Sequence, residues 1–561
     1  MDRNVESHFS QLPSVDIQRS IFTRTNKHIT TFNAGDLIPI FWDEVLPGDT
    51  WSVETSKMVR LQTLLTPIMD DLYLDVYWFF DRNVNLWEHW REFCGENNES
   101  AWLPSTTYSL PKINSPEGGF AVGTIADHLG IPVNVAYASD DPLRPTSLPF
   151  RLYARICDQY FRDENLTDPL NIPYGDSDQT GSNGSDYISD VANGGLPFKV
   201  AKYHDRFTSA LPAPQKGAAV TFPLIAGSDA PVYMSSSKIP DGLFGNSLEW
   251  YNVSGSNLNF GSNNAAALYL HTDSEAVHTF VPSSTSSSAT DLKVVPGNLW
   301  ANLSSSVGAV SINDLRLAFQ LQRMYERNAR GGTRYIEILN SHFGVTSPDA
   351  ALHRVEYLGG NRISLNVQQV TNQAQSANDF LGDLGGMSVT TDTHYDFEKS
   401  FTEHGYIMCV ACVRYDHTYS QGLAKKWSRN SFEDFYLPVF ANIGEQPINR
   451  SEIYFTNDKD SNAATFGYQE AWSEYRYAEN LATGEMRPGI SNTLASWHLG
   501  DYYTQAPSLS DAWIREDKTN VDRVLAVTSQ LSNQIFGDFW FKQTVTRPMP
   551  MYSVPGLIDH N

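Results

Sequence analysis

Cys409-Val-Ala-Cys412 has the spacing of a zinc or dithiol pair. Such a pair works when both thiolates lie on one side of a turn, usually with a second pair of ligands nearby. Here the surrounding run, Gly405-Tyr-Ile-Met-Cys-Val-Ala-Cys-Val-Arg-Tyr415, is apolar and reads as a strand. A separation of three in a strand sends the two side chains to opposite faces, so structural thiols are expected rather than a metal or redox site. Asp176-Ser-Asp178-Gln-Thr-Gly181 has the opening of a calcium loop, but the twelfth position is Tyr187 instead of Glu. Asp176 and Asp178 therefore stand as a weak calcium candidate and otherwise as a polar turn. Asp70-Asp71 and Asp140-Asp141 supply the paired carboxylates of glycoside hydrolysis, yet both adjoin turn-like sequence and nothing fixes their separation. Gly382-Asp-Leu-Gly385-Gly386 lacks the Lys-Ser/Thr of a phosphate loop, and GxSxG, HExxH and GxxxxGK[ST] do not occur. No catalytic residue, resident metal or cofactor is assigned.

The remaining chemistry is charge. Forty basic against sixty-four acidic side chains give a formal net charge of −24, which argues against nucleic-acid or anionic-membrane binding by the bulk surface. Locally the balance differs. Ile17 to Gly35 contains no acid but carries Arg19, Arg24 and Lys27, and Phe539 to Ile558 contains no acid but carries Lys542 and Arg547. A helix expected from Ile312 to Asn328, stopped by Gly331-Gly332, places Leu317, Leu321 and Met324 on one face. Arg316, Arg323, Arg327 and Arg330 fall within about 60° of one another on another face. Such a stripe is most simply a solvated face, with a subunit or nucleic-acid contact as the alternatives.

These side chains need elements to hold them. Leu72-Tyr-Leu-Asp-Val-Tyr-Trp-Phe-Phe80, Gly405 to Tyr415 and Phe539 to Thr546 read as strands, and Asp36 to Trp42, with its early Pro, as an edge strand. Short helices are expected at Asn85 to Phe93 and Leu148 to Phe161. Strands joined by very long connections point to a mainly β sandwich whose loops carry most of the mass. With 13 Trp, 27 Tyr and 29 Phe but only 19% charged residues, the chain suits burial of extra surface between subunits. Four cysteines are too few for a disulfide scaffold and imply free buried thiols in a reducing compartment. No apolar signal region and no 18-residue apolar run are present, so neither secretion nor membrane insertion is expected.

One window is built differently. Residues 207 to 315 contain no arginine and are rich in Gly, Ser, Asn and Ala, as in Gly261-Ser-Asn-Asn-Ala-Ala-Ala and Ser283-Ser-Thr-Ser-Ser-Ser. The window reads as an outward surface insertion. It divides the chain into a first core part (1–206) with a basic N-terminal arm, the insertion (207–315), and a second core part (316–561) with a C-terminal arm.

Longer blocks carry a resemblance. Arg24-Thr-Asn-Lys-His-Ile-Thr-Thr-Phe-Asn-Ala-Gly-Asp-Leu-Ile-Pro39, Asp75-Val-Tyr-Trp-Phe-Phe-Asp-Arg-Asn-Val-Asn-Leu-Trp-Glu-His-Trp90 and Gln322-Arg-Met-Tyr-Glu-Arg-Asn-Ala-Arg-Gly-Gly-Thr-Arg-Tyr335 are three of them. Gly467-Tyr-Gln-Glu-Ala-Trp-Ser-Glu-Tyr-Arg-Tyr477 and Arg547-Pro-Met-Pro-Met-Tyr552 are two more. They resemble the major capsid proteins of microviruses, small single-stranded DNA phages, and most closely their gokushovirus branch. The resemblance implies an eight-stranded antiparallel jelly roll with long insertions containing a few helices. It also implies a structural, non-enzymatic role in a T=1 shell of about sixty copies around circular single-stranded DNA, found in the virion and assembled in the cytoplasm of a host bacterium. The insertion would form a threefold protrusion that meets a host receptor. Further implied partners are a small basic DNA-packaging protein and a minor spike or pilot protein. In such a shell the DNA-facing candidates are Arg3, Arg19, Arg24 and Lys27 on the arm and the stripe Arg316, Arg323, Arg327 and Arg330. Phe22 and Phe32 lie nearby for base stacking. The competing class is a secreted carbohydrate-active or carbohydrate-binding β-sandwich protein.

Overall fold

The computed structural model describes residues 18–98, 106–218, 220, 312–346, 353–373 and 381–553, with short strands between 232 and 301. Two four-stranded antiparallel sheets form the framework. Their strands are β1 (Ser20–Phe32), β2 (Ile38–Val45), β3 (Thr50–Leu61), β4 (Leu72–Arg82), β5 (Glu356–Ser364), β6 (Thr390–Ser400), β7 (Gly405–Tyr415) and β8 (Ile535–Arg547). The first sheet has the order β1-β8-β3-β6 and the second β5-β4-β7-β2. Successive strands mostly cross from one sheet to the other, and the first and last strands are neighbours. That is jelly-roll connectivity, and it bears out the mainly β expectation.

The sequence explains why the two sheets face each other. In β7 the side chains alternate between two cores, with Ile407, Cys409, Ala411 and Val413 on one side and Met408, Val410 and Cys412 on the other. The first set meets β3 and β8 residues such as Trp51, Val53, Phe539 and Phe541 in the core between the sheets. Trp78 of β4 sits at its centre, fully buried, with ring centroids 5.2 Å from Phe41, 5.4 Å from Phe397 and 5.7 Å from Phe541. The second set packs on the outer side of the second sheet against residues 83–200. There α1 (Leu148–Ile156) is buried along its whole length and continues into a π-turn over Cys157–Phe161. The second sheet is therefore covered on both faces. Among the described residues the first sheet is covered on one.

Several local expectations change. The basic N-terminal segment is not a free arm over Ser20–Phe32: it is a full edge strand, paired residue by residue with β8 from Ser20↔Arg547 to Phe32↔Ile535. The stretch Asn85 to Phe93 resolves into two single turns, Asn83–Leu86 and Trp90–Phe93. Cys94 is exposed, whereas Cys157, Cys409 and Cys412 are buried as expected. The long helix α2 (Ile312–Gly331) is present, but its wheel is turned: Ala318 and Ala329 are its buried positions, and Leu317 and Met324 are exposed. It stops at Gly332, where φ is +83° and a Cβ would lie 2.2 Å from a Glu337 carboxylate oxygen, so glycine is required. A second helix, α3 (Tyr335–Phe343), follows.

The chain divides into two compact units, 1–216 with 326–561, and 217–325. The composition window opened ten residues earlier, at Phe207. That residue belongs to the main unit, where it is buried with Tyr419 and Phe466, while Leu211 exchanges backbone hydrogen bonds with Tyr468. Side chains between 221 and 311 lie outside the described residues.

Candidate nucleic-acid interface

The open face of the first sheet is built by strict alternation. In β8, Phe539, Phe541 and Gln543 point to the core, which leaves Phe536, Asp538, Trp540 and Lys542 on the outside. In β3 the outward set is Ser52, Glu54, Ser56, Met58 and Arg60, and in β1 it is Ile21, Thr23, Thr25, Lys27, Ile29 and Thr31. Register places Lys27 beside Trp540, Trp540 beside Ser56, and Ser56 beside Thr393 of β6. A shallow groove of about 400 Å³ runs here, lined by Lys27, Ser56, Met58, Thr391, Asp538 and Trp540. Hydroxyl groups are frequent on the face, and Ile21, Ile29 (72% exposed), Met58, Phe536 and Trp540 (41%) are uncovered apolar members of it.

Charge on this face is nearly balanced. Arg19, Lys27, Arg60 and Lys542 stand against Glu54, Glu398 and Asp538, in a chain whose net charge is −24. Lys27 pairs with Asp538 at 2.7 Å and Lys542 with Glu54 at 3.2 Å. Both pairs are solvent-exposed, so each contributes on the order of 0–1 kcal/mol and is readily exchanged for another anion.

The sequence-derived residues fall as follows. Arg3 lies outside the described residues. Arg19 is exposed and donates to the Gly48 carbonyl at 3.1 Å. Arg24 points to the opposite side of β1 from Lys27, where it donates to Asp43 at 2.5 Å and lies 5.0 Å from the Trp51 ring centroid. Period two in a strand forbids Arg24 and Lys27 from one basic patch, so the three-residue arm dissolves into separate positions. Phe32 is buried in the inter-sheet core and cannot stack on a base, and Phe22 is half-buried. On α2, Arg316, Arg323 and Arg327 are exposed, while Arg330 is drawn to Glu445 and Glu470. Trp540 was missed, although the alternation Phe539-Trp-Phe541 already separates it from its neighbours.

Asp176 and Asp178, the weak calcium candidate, are each held by groups of the protein itself. Asp176 accepts from Trp87 Nε1 at 2.7 Å and from His89 Nδ1 at 2.8 Å. Burial opposes its ionisation, but these bonds outweigh it and hold the carboxyl below its ordinary range. Asp178 accepts from the Lys112 backbone N–H at 3.0 Å and from Arg144 Nη1 at 2.6 Å. Among the described residues no group of three His, Cys, Asp or Glu side chains is placed to hold a metal. Cys409 and Cys412 lie in different cores, and burial pushes the Cys412 thiol up to about 12. Burial opposes thiolate formation at both.

Residues 10–557 match the family model described as capsid protein (F protein). The chain belongs to this phage capsid protein family. Relatives carry the same kind of name. Capsid protein VP1 of Spiroplasma virus 4 is 40% identical over 558 residues, covering 98% of this chain and 97% of that one. Capsid protein VP1 of Bdellovibrio phage phiMH2K is 39% identical over 562 residues, 99% of this chain and 98% of that one. Capsid protein VP1 of Chlamydia phage 1 is 36% identical over 601 residues, again 99% and 98%. The resemblance to microvirus capsid proteins of the gokushovirus branch is borne out. The capsid protein is a structural component of the virion and not an enzyme. A match over nearly the whole chain leaves no room for the carbohydrate-active alternative. Among the described residues no helix is long and apolar enough to cross a membrane.

Proposed function

We propose that about sixty copies of this capsid protein close into a T=1 icosahedral shell around a circular single-stranded DNA genome. The supporting observation is a capsid-family match over residues 10–557 in a chain whose main unit is a jelly roll interrupted by a separate compact unit, 217–325. In this reading the insertion that precedes α2, expected to end at residue 315, projects outward at the threefold axis and meets the host receptor. The shell is assembled in the cytoplasm of the host bacterium and also carries a minor spike or pilot protein.

The genome lies against the open face of the first sheet. Bases stack on Trp540 at about 1–3 kcal/mol each, and threonine and serine hydroxyls and Lys27 take the backbone. Arg19, Arg316, Arg323 and Arg327 add unneutralised charge, as Arg3 does from the segment before β1. Arg24 and Arg330, held by carboxylates, contribute little. A chain with 64 acidic and 40 basic side chains adds to the genome's negative charge instead of offsetting it. A small basic packaging protein therefore enters each particle near stoichiometrically. Electron microscopy and mass spectrometry of purified DNA-filled particles test the reading. Closed shells containing a short Lys/Arg-rich polypeptide are expected. Particles of another symmetry, or with no such polypeptide, would overturn the corresponding part.

A further inference from the structure

Residues 425–447, Lys-Lys-Trp-Ser-Arg-Asn-Ser-Phe-Glu-Asp-Phe-Tyr-Leu-Pro-Val-Phe-Ala-Asn-Ile-Gly-Glu-Gln-Pro, contain not one buried residue. Yet Trp427 is 73% exposed, Phe432 71% and Val439 87%, and Phe435, Tyr436 and Ile443 are exposed with them. A core-like composition has been laid on the surface. Tyr475, Tyr477 and Leu481 are exposed as well. A monomeric protein seldom leaves so many large apolar side chains together in water.

The strap is nevertheless locally fixed. It runs through three 3-10 turns, Lys425–Trp427, Phe432–Asp434 and Pro438–Phe440. Asp434 accepts from the backbone N–H groups of Asn430 and Ser431 at 2.8 Å each. Trp472 Nε1 donates to the Phe440 carbonyl at 2.9 Å, and its ring lies 5.7 Å from Tyr436. The Arg429 guanidinium sits 5.2 Å from the Phe435 ring centroid and 4.6 Å from that of Tyr475, while pairing with Glu474 at 3.3 Å. Side chains held this way lose little further freedom when a partner covers them, so less of the association energy goes into ordering.

Charge selects the partner. Lys425, Lys426 and Arg429 equal Glu433, Asp434 and Glu445 in number, so the strap is neutral in a chain of net charge −24. It offers no field to a nucleic acid. It is instead a place where two copies of an acidic chain can touch without the repulsion carried by the rest of their surface. We propose that this strap is a contact between neighbouring copies of the chain, with Trp427, Phe432 and Val439 as its anchors. The inference rests on the shell reading above and adds where that shell is glued.

The test places Trp427→Glu and Val439→Arg, singly, in the phage genome and measures particles and unassembled subunits in sedimented lysates. Wild-type phage should give closed particles. Each variant should give soluble subunits that melt like the wild type, with particle yield down roughly tenfold or more. Variants that assemble at wild-type yield overturn the strap. Wild-type lysates without closed particles overturn the shell reading instead. Hydrogen exchange on wild-type protein decides the matter even where a variant misfolds. Backbone amides of 425–447 should exchange more slowly in particles, full or empty, than in free subunits. Equal exchange in both forms, or protection confined to DNA-filled particles, overturns the proposal.

Discussion

The two sheets of this jelly roll are finished differently. The second is sealed by its own chain: Met408, Val410 and Cys412 on its outer side are covered by α1 and the long connection around it. Among the described residues the first has no such cover, and Ile21, Ile29, Met58 and Trp540 stand open. The strands record the difference: β7 is buried at every position but Arg414, whereas β3 and β8 alternate buried and open positions. Its cause lies in where the insertions go. A subunit that must fold alone and then join others seals one sheet for folding and leaves the other sheet, like the strap, for what it later meets.

This contrast can be broken from several sides. The largest effect belongs to the core both sheets share. Trp78→Ala should destabilise the subunit by about 3–5 kcal/mol in denaturant unfolding, because its ring contacts come from both sheets. A loss under about 1 kcal/mol would mean the sheets do not pack as described.

Next is the seal at the sheet edges. His128 lies in the turn Ile125–His128, its Nδ1 3.1 Å from Thr30 Oγ1 of β1, and Trp42 of β2 donates to the adjacent Leu129 carbonyl at 2.9 Å. Burial lowers the His128 pKa from 6.5 to about 4, against the pull of Asp127, with His28 lowering it further. The unfolded chain thus binds a proton between about pH 6.5 and 4 that the folded chain refuses. Stability is full above pH 6.5 and falls as pH drops through that window, by up to about 3 kcal/mol. Melting curves from pH 7.5 to 4.5 should show this slope, and His128→Gln should flatten it. An unchanged slope in the variant would contradict the assignment.

Two smaller changes compare the faces directly. Cys412→Ser, on the sealed side, should cost about 1–3 kcal/mol by burying an extra hydroxyl, with no loss of bound metal. Stoichiometric zinc in the wild type and none in the variant would reverse that reading. Trp540→Ala, on the open side, should change subunit stability by no more than about 0.5 kcal/mol while lowering the DNA content of particles. A stability loss like that of Trp78→Ala would mean the open face is sealed after all.

The sequence made β4, β7 and β8 legible because their apolar residues are continuous or strictly alternating. β3 escaped because two of its inward positions are polar: Thr55 is buried, and Lys57 is buried with Asp392 at 3.1 Å and Asn361 as partners. β1 read as a basic arm because its most exposed positions include Ile21 and Ile29, so its pattern looked like neither a strand nor a core. The charge pairs were invisible for a different reason. Arg24 meets Asp43 and Lys27 meets Asp538 only after strands far apart in sequence have paired. The strap gave no periodic signal at all. Its aromatic content was counted toward subunit burial, but nothing local shows that none of it is used inside.

Copies of this chain, joined through the strap, should close into one shell. Native mass measurement of purified particles emptied of DNA tests that directly. A single discrete species of about sixty times the 62.8-kDa chain is expected, stable on dilution and lost when the strap anchors are charged. A monomer, or a broad ladder of small oligomers, would contradict it.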